Sequence, residues 1–159
     1  MRKQKGFSLI ELLIVIAIIL IIAAIAVPNL LRSKMAANEA SAVGTVRAIN
    51  NAQTLYSTTY PDNGFAAAIA NLGGAAPCTP SLATACIVDP VVSQAPNQKS
   101  GYTFATANDG LVPSVGFTAN GTAVTFGTTG SRNFFSDQSY VIRYNTVAGA
   151  AAVTDKPLQ

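Results

Sequence analysis

Few side chains in this sequence are suited to catalysis or metal binding. The chain has no His and no Trp, which excludes imidazole acid–base chemistry, His-dependent triads and His-containing metal sites. Two cysteines, Cys78 and Cys86, cannot form a four-ligand zinc cluster alone. Neither a G-x-x-x-x-G-K-[ST] phosphate loop nor a G-x-G-x-x-G fingerprint occurs. We therefore predict a chain that is not an enzyme, with no catalytic residue, cofactor or metal ligand.

One carboxylate is notable for its position. Glu11 is the only charged residue in the 25 positions from Phe7 to Leu31. A charge near a bilayer centre costs ~2.5–3.5 kcal/mol on insertion scales, and less near the interface. A carboxylate in such a stretch therefore needs a partner.

The apolar stretch around Glu11 predicts a membrane-spanning helix. A helix from Phe7 to Leu31 is roughly 37 Å long, which exceeds a hydrocarbon core of roughly 30 Å. Arg2, Lys3 and Lys5 precede it, so the positive-inside rule keeps the N-terminus in the cytoplasm and sends the remainder outward.

An ordinary secretory signal peptide is the alternative, with an A-x-A cleavage site at Ala24-Ile25-Ala26. Two observations argue against it. Glu11 interrupts the apolar stretch, and the helical pattern continues well beyond Ala26.

The segment Gly6-Phe7-Ser8-Leu9-Ile10-Glu11-Leu12-Leu13 resembles the prepilin signature of type IV pilins and of the pseudopilins of type II secretion. The resemblance covers about the first 30 residues. It implies cleavage between Gly6 and Phe7 by a membrane aspartic peptidase, followed by N-methylation of the Phe7 amine. The implied partners are this prepilin peptidase/N-methyltransferase, an inner-membrane assembly platform, minor pilins and further copies of the chain in a helical filament.

Glu11 has two possible roles in assembly. Cleavage would create an amine at Phe7, one helical turn away, and an internal pair is geometrically possible because the helix dipole also favours a carboxylate there. In a packed bundle, the amine of an incoming subunit could serve instead. The family resemblance favours the intersubunit pair.

Pro28 is predicted to kink the helix or open it locally, because proline cannot donate to the carbonyl of Ala24. A simple helix boundary at the membrane surface is the alternative. Beyond Pro28, an apolar stripe continues with helical spacing to Tyr60, so we predict one helix from about Phe7 to Tyr60.

We predict an α+β pilin fold in which the amphipathic half of this helix packs on an antiparallel β-sheet of four or five strands. The predicted divisions are a cleaved leader (1–6), an apolar polymerisation helix (7–31), its amphipathic continuation (32–60), a Pro-rich loop region (61–100) and the sheet (101–159). The loop region is expected to hold a helical turn near Phe65–Leu72, ended by Gly73-Gly74.

Apolar residues alternate with period two after Gly101, which predicts the strands. The alternating groups are Tyr102/Phe104, Val115/Phe117, Val124/Phe126 and Tyr140/Ile142/Tyr144. Asn120-Gly121 is predicted to form a two-residue hairpin turn. Residues 132–145 resemble the terminal hairpin of bacterial pilin-like head domains. Asp109 and Asp137 could ligate calcium, but single aspartates in turns more often stabilise the turn itself.

Cys78 and Cys86 are predicted to form a disulfide if the C-terminal part lies outside the cytoplasm, where oxidised pairs are the default. Two unpaired buried thiols are the alternative. Either state is structural rather than catalytic.

These expectations converge on a structural subunit of a type IV pilus-like filament. It would be a single-pass protein of the inner membrane before assembly, and would lie in a pilus at the cell surface or in the periplasm afterwards. A secretion pseudopilin or minor pilin, and a monomeric membrane-anchored periplasmic binding module, are the alternatives. Without residues 1–6 the chain has seven basic and seven acidic side chains, and this neutrality argues against specific nucleic-acid binding.

Overall fold

The computed structural model describes residues 6–158 and begins with one long helix, α1 (Leu9–Thr59). Its bounds lie within two residues of those predicted. Of the predicted leader, residues 1–5 lie outside the described residues. The chain divides into two units, one ending at Lys34 and one beginning at Met35.

From residue 6 onward, the first unit comprises three residues before α1 and the helix as far as Lys34. Its leucine, isoleucine and alanine residues favour or tolerate helix, and its large apolar side chains from Phe7 to Leu31 are all exposed. The helix contains an 18-residue window that is long and apolar enough to cross a membrane, none of it buried. The segment therefore has the length and composition of a membrane span.

In the second unit, α1 buries one stripe of small and apolar side chains at helical spacing. The members of the stripe are Ala42, Val46, Ile49, Ala52 and Tyr56. This confirms the amphipathic pattern read from the sequence.

The stripe packs with the sheet in a single core. The largest buried side chains from the sheet are Tyr102, Phe104, Phe117 and Phe134. An α+β architecture with a helix on an antiparallel sheet is thereby confirmed.

The sheet has six strands, not the four or five predicted, and each pairs antiparallel with the next. The strands are β1 (Gln98–Lys99), β2 (Tyr102–Asn108), β3 (Phe117–Ala123), β4 (Asn133–Asp137), β5 (Arg143–Asn145) and β6 (Lys156–Pro157). The outer strands, β1 and β6, have two residues each, which is too short for an alternating pattern to show. Residues 132–145 do form an antiparallel pair, β4 with β5, but β6 follows, so this hairpin is not terminal.

The prediction of a hairpin turn at Asn120-Gly121 was wrong, because both residues lie inside β3. Gly121 pairs with Phe104 on one side and Phe134 on the other. A Cβ at this position would lie 3.1 Å from a ring carbon of Phe104 and 3.3 Å from a methyl of Val46. The glycine lets an aromatic ring and the helix approach the strand closely, which overrides the local turn preference.

Three further alternating groups lie only partly in strands or outside them. Of Tyr140/Ile142/Tyr144, only Tyr144 lies in a strand, β5. Val124 and Phe126 follow the end of β3, in a turn where Thr128 and Thr129 donate backbone hydrogen bonds to Thr125. Val115 precedes β3, in a loop organised by Asp109. Local hydrogen bonds define these segments in place of ladder pairing.

The loop region contains two short helices. The first, α2 (Ile69–Leu72), is followed by Gly73 and confirms the predicted turn. The second, α3 (Pro90–Ser93), was not predicted. It begins at Pro90, where a missing N–H is harmless, and Asp89 caps it by accepting a hydrogen bond from the Val91 nitrogen.

Candidate functional site

The predicted cleavage site precedes the helix. Gly6, Phe7 and Ser8 are not helical, and Phe7 is 82% exposed. A Cβ placed on Gly6 would meet nothing within 4 Å, and Gly6 does not adopt a positive φ. Neither packing nor backbone conformation within the described chain therefore requires glycine here. A requirement for Gly6 would have to come from a partner that binds this peptide.

Glu11 and Ser8 define the start of α1. The backbone nitrogen of Ser8 donates to Oε2 of Glu11 at 2.9 Å, and the nitrogen of Leu12 donates to the carbonyl of Ser8 at 3.3 Å. Ser8 is thus the N-cap, and Glu11 is the residue three positions on that reaches back to it, which is one half of a capping box. In this unprocessed chain Glu11 has an internal role, and its Oε1 has no hydrogen-bond donor among the described residues.

The position of Pro28 is helical, and α1 continues through it without a break. The boundary alternative is therefore wrong. The side-chain amide of Asn29 donates to the backbone carbonyl of Ile25 at 3.0 Å, one turn back. A kink or local opening at Pro28 stays a prediction.

The structure joins Cys78 and Cys86 in a disulfide, with their Cα atoms 5.9 Å apart. This confirms the predicted pair and rules out two unpaired thiols. Gly74 lies against Cys78, whose sulfur would clash with a Cβ there. The Tyr56 hydroxyl donates to the carbonyl of Leu82 at 2.8 Å and ties the disulfide loop to the second unit's helix.

The N-terminal arrangement matches a family model. Residues 1–27 match the prokaryotic N-terminal methylation motif. The chain is 45% identical over 56 residues to the type II secretion system core protein G of Vibrio cholerae, covering 35% of this chain and 38% of that protein. It is 64% identical over 39 residues to the type IV wide pilus major component PilA4 of Thermus thermophilus, covering 24% and 30%. The chain thus carries this methylation motif, and about a third of it is similar to type IV pilins and type II secretion core proteins.

The relatives of this pilin-like chain include components of both pili and secretion systems. The type IV major pilin protein PilA of Myxococcus xanthus is 43% identical over 51 residues, which is 32% of this chain and 23% of that protein. The chain thus spans less than two fifths of the length of these curated relatives. No solved structure matches it significantly.

Asp109 and Asp137, weighed above as calcium ligands, stabilise turns in the pilin-like head. Asp109 accepts hydrogen bonds from the backbone nitrogens of Leu111, Val115 and Gly116 at 3.0–3.1 Å. The Ser114 side chain and these backbone bonds together hold the pKa of Asp109 below its ordinary value, against a smaller opposing effect of desolvation. Asp137 accepts from the backbone and hydroxyl of Ser139. Within residues 6–158 no group of three or more His, Cys, Asp or Glu side chains could hold a metal ion.

Sequence analysis missed the most strongly bonded carboxylate of this pilin-like chain, Glu39. It is 5% exposed and accepts three hydrogen bonds of 2.8 Å, from the backbone and hydroxyl of Ser131 and from Nε of Arg132. Nη2 of Arg132 completes an ion pair at 2.7 Å. Burial opposes ionisation, but the bonds from Ser131 and Arg132 outweigh it, so the pKa of Glu39 lies below its ordinary value.

The groups around Glu39 are themselves fixed. The Arg132 guanidinium lies 5.9 Å from the ring centre of Phe134 and 5.5 Å from that of Tyr144. The Tyr102 hydroxyl donates to the carbonyl of Arg132 at 2.7 Å, and burial together with the Glu39 charge raises the pKa of Tyr102 to about 12. One signal could have revealed Glu39: it lies three residues before Ala42, on the side of the helix that carries the apolar stripe.

Proposed function

We propose that this chain is a structural, non-enzymatic subunit of a type IV pilus-like filament. A prepilin peptidase cuts it between Gly6 and Phe7 and methylates the new amine of Phe7. The observation that carries the proposal is an apolar helix whose large side chains are all exposed and which has a single carboxylate, Glu11, one turn from the residue that cleavage makes N-terminal.

Exposed apolar surface of this extent has to be covered by lipid or by protein. Before assembly, the bilayer covers residues 7–31, with the N-terminus in the cytoplasm as Arg2, Lys3 and Lys5 favour. After assembly, the same surface packs against further copies of the chain in the filament core. The same segment thus contacts lipid before assembly and other subunits after it.

Glu11 gives the assembly its register. Its bond to the Ser8 backbone uses Oε2, so Oε1 can accept the amine of a second subunit without loss of the cap. A charged amine and a charged carboxylate inside an apolar bundle favour the one arrangement that pairs them, because an unpaired buried charge is costly. The pair therefore selects one axial position among many that the apolar surface alone would tolerate.

The proposed divisions of the chain follow from this scheme. Residues 1–6 are the leader, 7–31 the polymerisation helix, 32–60 its amphipathic continuation, 61–100 the loop region and 101–159 the sheet. The proposed partners are the prepilin peptidase/N-methyltransferase, an inner-membrane assembly platform and minor pilins.

Mass spectrometry of sheared surface filaments tests the proposal. We expect this chain as a filament component whose first residue is N-methylated Phe7. A mature chain that starts at Val27 would identify an ordinary signal peptide and overturn the proposal. A Gly6→Leu variant should stay unprocessed in the membrane, because a side chain there would obstruct a peptidase site shaped for glycine. The described chain itself has no packing need for glycine at that position, so its fold should not change.

A secretion pseudopilus is the second candidate, favoured by the 45% identity to a type II secretion core protein. Deletion of the gene separates the two. Loss of surface filaments with normal protein secretion supports the pilus, whereas loss of secretion without loss of surface filaments supports the pseudopilus. A monomeric membrane-anchored binding module would form neither a pilus nor a pseudopilus, and would not need Gly6 or Glu11.

A further inference from the structure

We propose that the hydrogen bonds of Asn38 and Glu39 to residues 129–132, here called the Glu39 clamp, form a stop that confines opening of α1 to the residues before Asn38. The clamp itself lies within the second unit, and its role does not depend on the proposed function. It would hold equally in a filament, a pseudopilus or a monomer.

The helix before the clamp has only its own hydrogen bonds to hold it. Within residues 8–34 the side-chain bonds are local, from Ser8 to Glu11 and from Asn29 to Ile25. Pro28 also removes one backbone donor from the ladder. Opening of such a segment meets no energetic step, because each residue that unwinds breaks one local bond and no tertiary contact.

The clamp is the first place along α1 where a side-chain bond reaches a distant part of the chain. The side-chain amide of Asn38 donates to the backbone carbonyl of Thr129 at 2.9 Å. The next residue, Glu39, holds Ser131 and Arg132 through the four contacts described above. These bonds span 91 to 93 residues of sequence and converge within two consecutive helix positions.

Opening past Glu39 would break these contacts together. It would also separate the buried Glu39 carboxylate from the partly exposed Arg132 guanidinium, and breaking a bond to a charged group costs more than the loss of a neutral hydrogen bond. The next turns of the helix are held by the buried apolar side chains of Ala42, Val46 and Ile49, together with one exposed hydrogen bond from Ser41 to Ser100. The clamp is therefore a polar barrier in front of the apolar core.

The clamp is also sensitive to acid. The charged and titratable groups that face Glu39 are Arg132 and Tyr102, of which only Arg132 is charged at neutral pH. Protonation of Glu39 would remove the ion pair and weaken the stop. The lowered pKa of Glu39 keeps the ion pair charged at neutral pH.

Hydrogen exchange of the full chain in detergent micelles tests the stop. Detergent covers residues 7–31, so the comparison is between the amides of residues 32–38 and those of residues 39–46. In the wild-type chain we expect a step in protection between these two groups. In Glu39→Gln we expect exchange of residues 39–46 to rise about tenfold, with the step moved toward Val46.

Asp62→Asn is the matched control, because it removes one exposed carboxylate that has no hydrogen-bond partner among the described residues. It should leave the exchange of residues 39–46 unchanged. If Glu39→Gln does not fold, Ser131→Ala removes one hydroxyl donor only and should give a smaller rise in the same amides. A wild-type chain without a step, or folded variants that exchange like the wild type, would overturn the proposal.

Discussion

Oε2 of Glu11 lies 2.9 Å from the backbone nitrogen of Ser8, whose carbonyl in turn accepts the first hydrogen bond of the helix. The carboxylate therefore has a structural role before any cleavage occurs. Removing residues 1–6 would place a new amine at Phe7, beside this cap. Capping and pairing are thus two functions of one side chain, and substitutions can separate them.

We expect Glu11→Ala to insert in the membrane and fold its sheet, but to assemble poorly. Loss of the carboxylate makes the segment more apolar, so insertion should not suffer. The Phe7 amine would enter the filament core unpaired, which typically costs ~3–5 kcal/mol at each subunit contact. The measurement compares processed protein in membranes with protein in sheared filaments.

Glu11→Gln is the matched variant, since an amide oxygen can still accept the Ser8 hydrogen bond but carries no charge. It should retain the helix cap and still assemble poorly. Normal filament yield from Glu11→Gln would show that capping, and not charge, is what assembly requires.

We expect the double substitution of Cys78 and Cys86 by Ser to lower the free energy of unfolding by roughly 2.5 kcal/mol. The estimate is the loop-closure entropy of nine residues. Chemical denaturation of the two proteins gives the difference. Intact-mass analysis with alkylation before and after reduction checks the bond itself, and thiols that alkylate without reductant would show that it is absent from the exported chain.

Two glycines of the second unit should respond to alanine with opposite signs. Gly44 lies in the exposed middle of a helix where a Cβ would meet nothing within 4 Å, so Gly44→Ala should stabilise the fold by about 0.5–1 kcal/mol. At Gly121 a Cβ would crowd Phe104 and Val46, so Gly121→Ala should destabilise it by about 1–3 kcal/mol. Thermal unfolding of both variants tests the pair, and equal shifts in one direction would contradict this account of β3.

Stability should fall in acid partly through Glu39. Its pKa is lower in the folded chain than in the unfolded chain, so the folded state binds fewer protons. The stabilisation is complete above the ordinary carboxyl pKa of about 4.3 and is lost as pH falls through the lower folded pKa. Because Arg132 is partly exposed, we expect a contribution of about 1 kcal/mol.

The matching measurement is thermal unfolding of wild type and Glu39→Gln between pH 7 and pH 2. The difference in unfolding temperature should shrink toward low pH, where Glu39 is itself neutral. A difference that stays constant across this range would mean that the charge of Glu39 does not contribute to stability.

The helix could be read from the sequence because its signals are local. Apolar spacing and a single interior proline predict its bounds to within two residues. Local signals failed where a distant residue decides the outcome. Asn120-Gly121 reads as a turn, and only the approach of Phe104 and Val46 makes it a strand.

Buried polar side chains were missed for the same reason. Glu39 and Gln53 look like ordinary exposed positions in the sequence. Yet Gln53 is fully buried, and its side chain bonds to the backbone nitrogen and carbonyl of Ala66 and to the hydroxyl of Thr106. Their partners lie 13 to 93 residues away. Spacing along the helix could have placed both on the buried side, but no spacing identifies the partners.

The outer strands of the sheet have a consequence for unwanted aggregation. Unpaired backbone groups at a sheet edge are a template on which another chain can add a strand. Here each edge is only two residues long and carries a lysine, Lys99 in β1 and Lys156 in β6, and Pro157 cannot donate at all. A chain proposed to polymerise through its helix thus has sheet edges that disfavour amyloid-like stacking. At high local concentration in the membrane, edge-to-edge association of sheets therefore does not compete with growth of the ordered polymer.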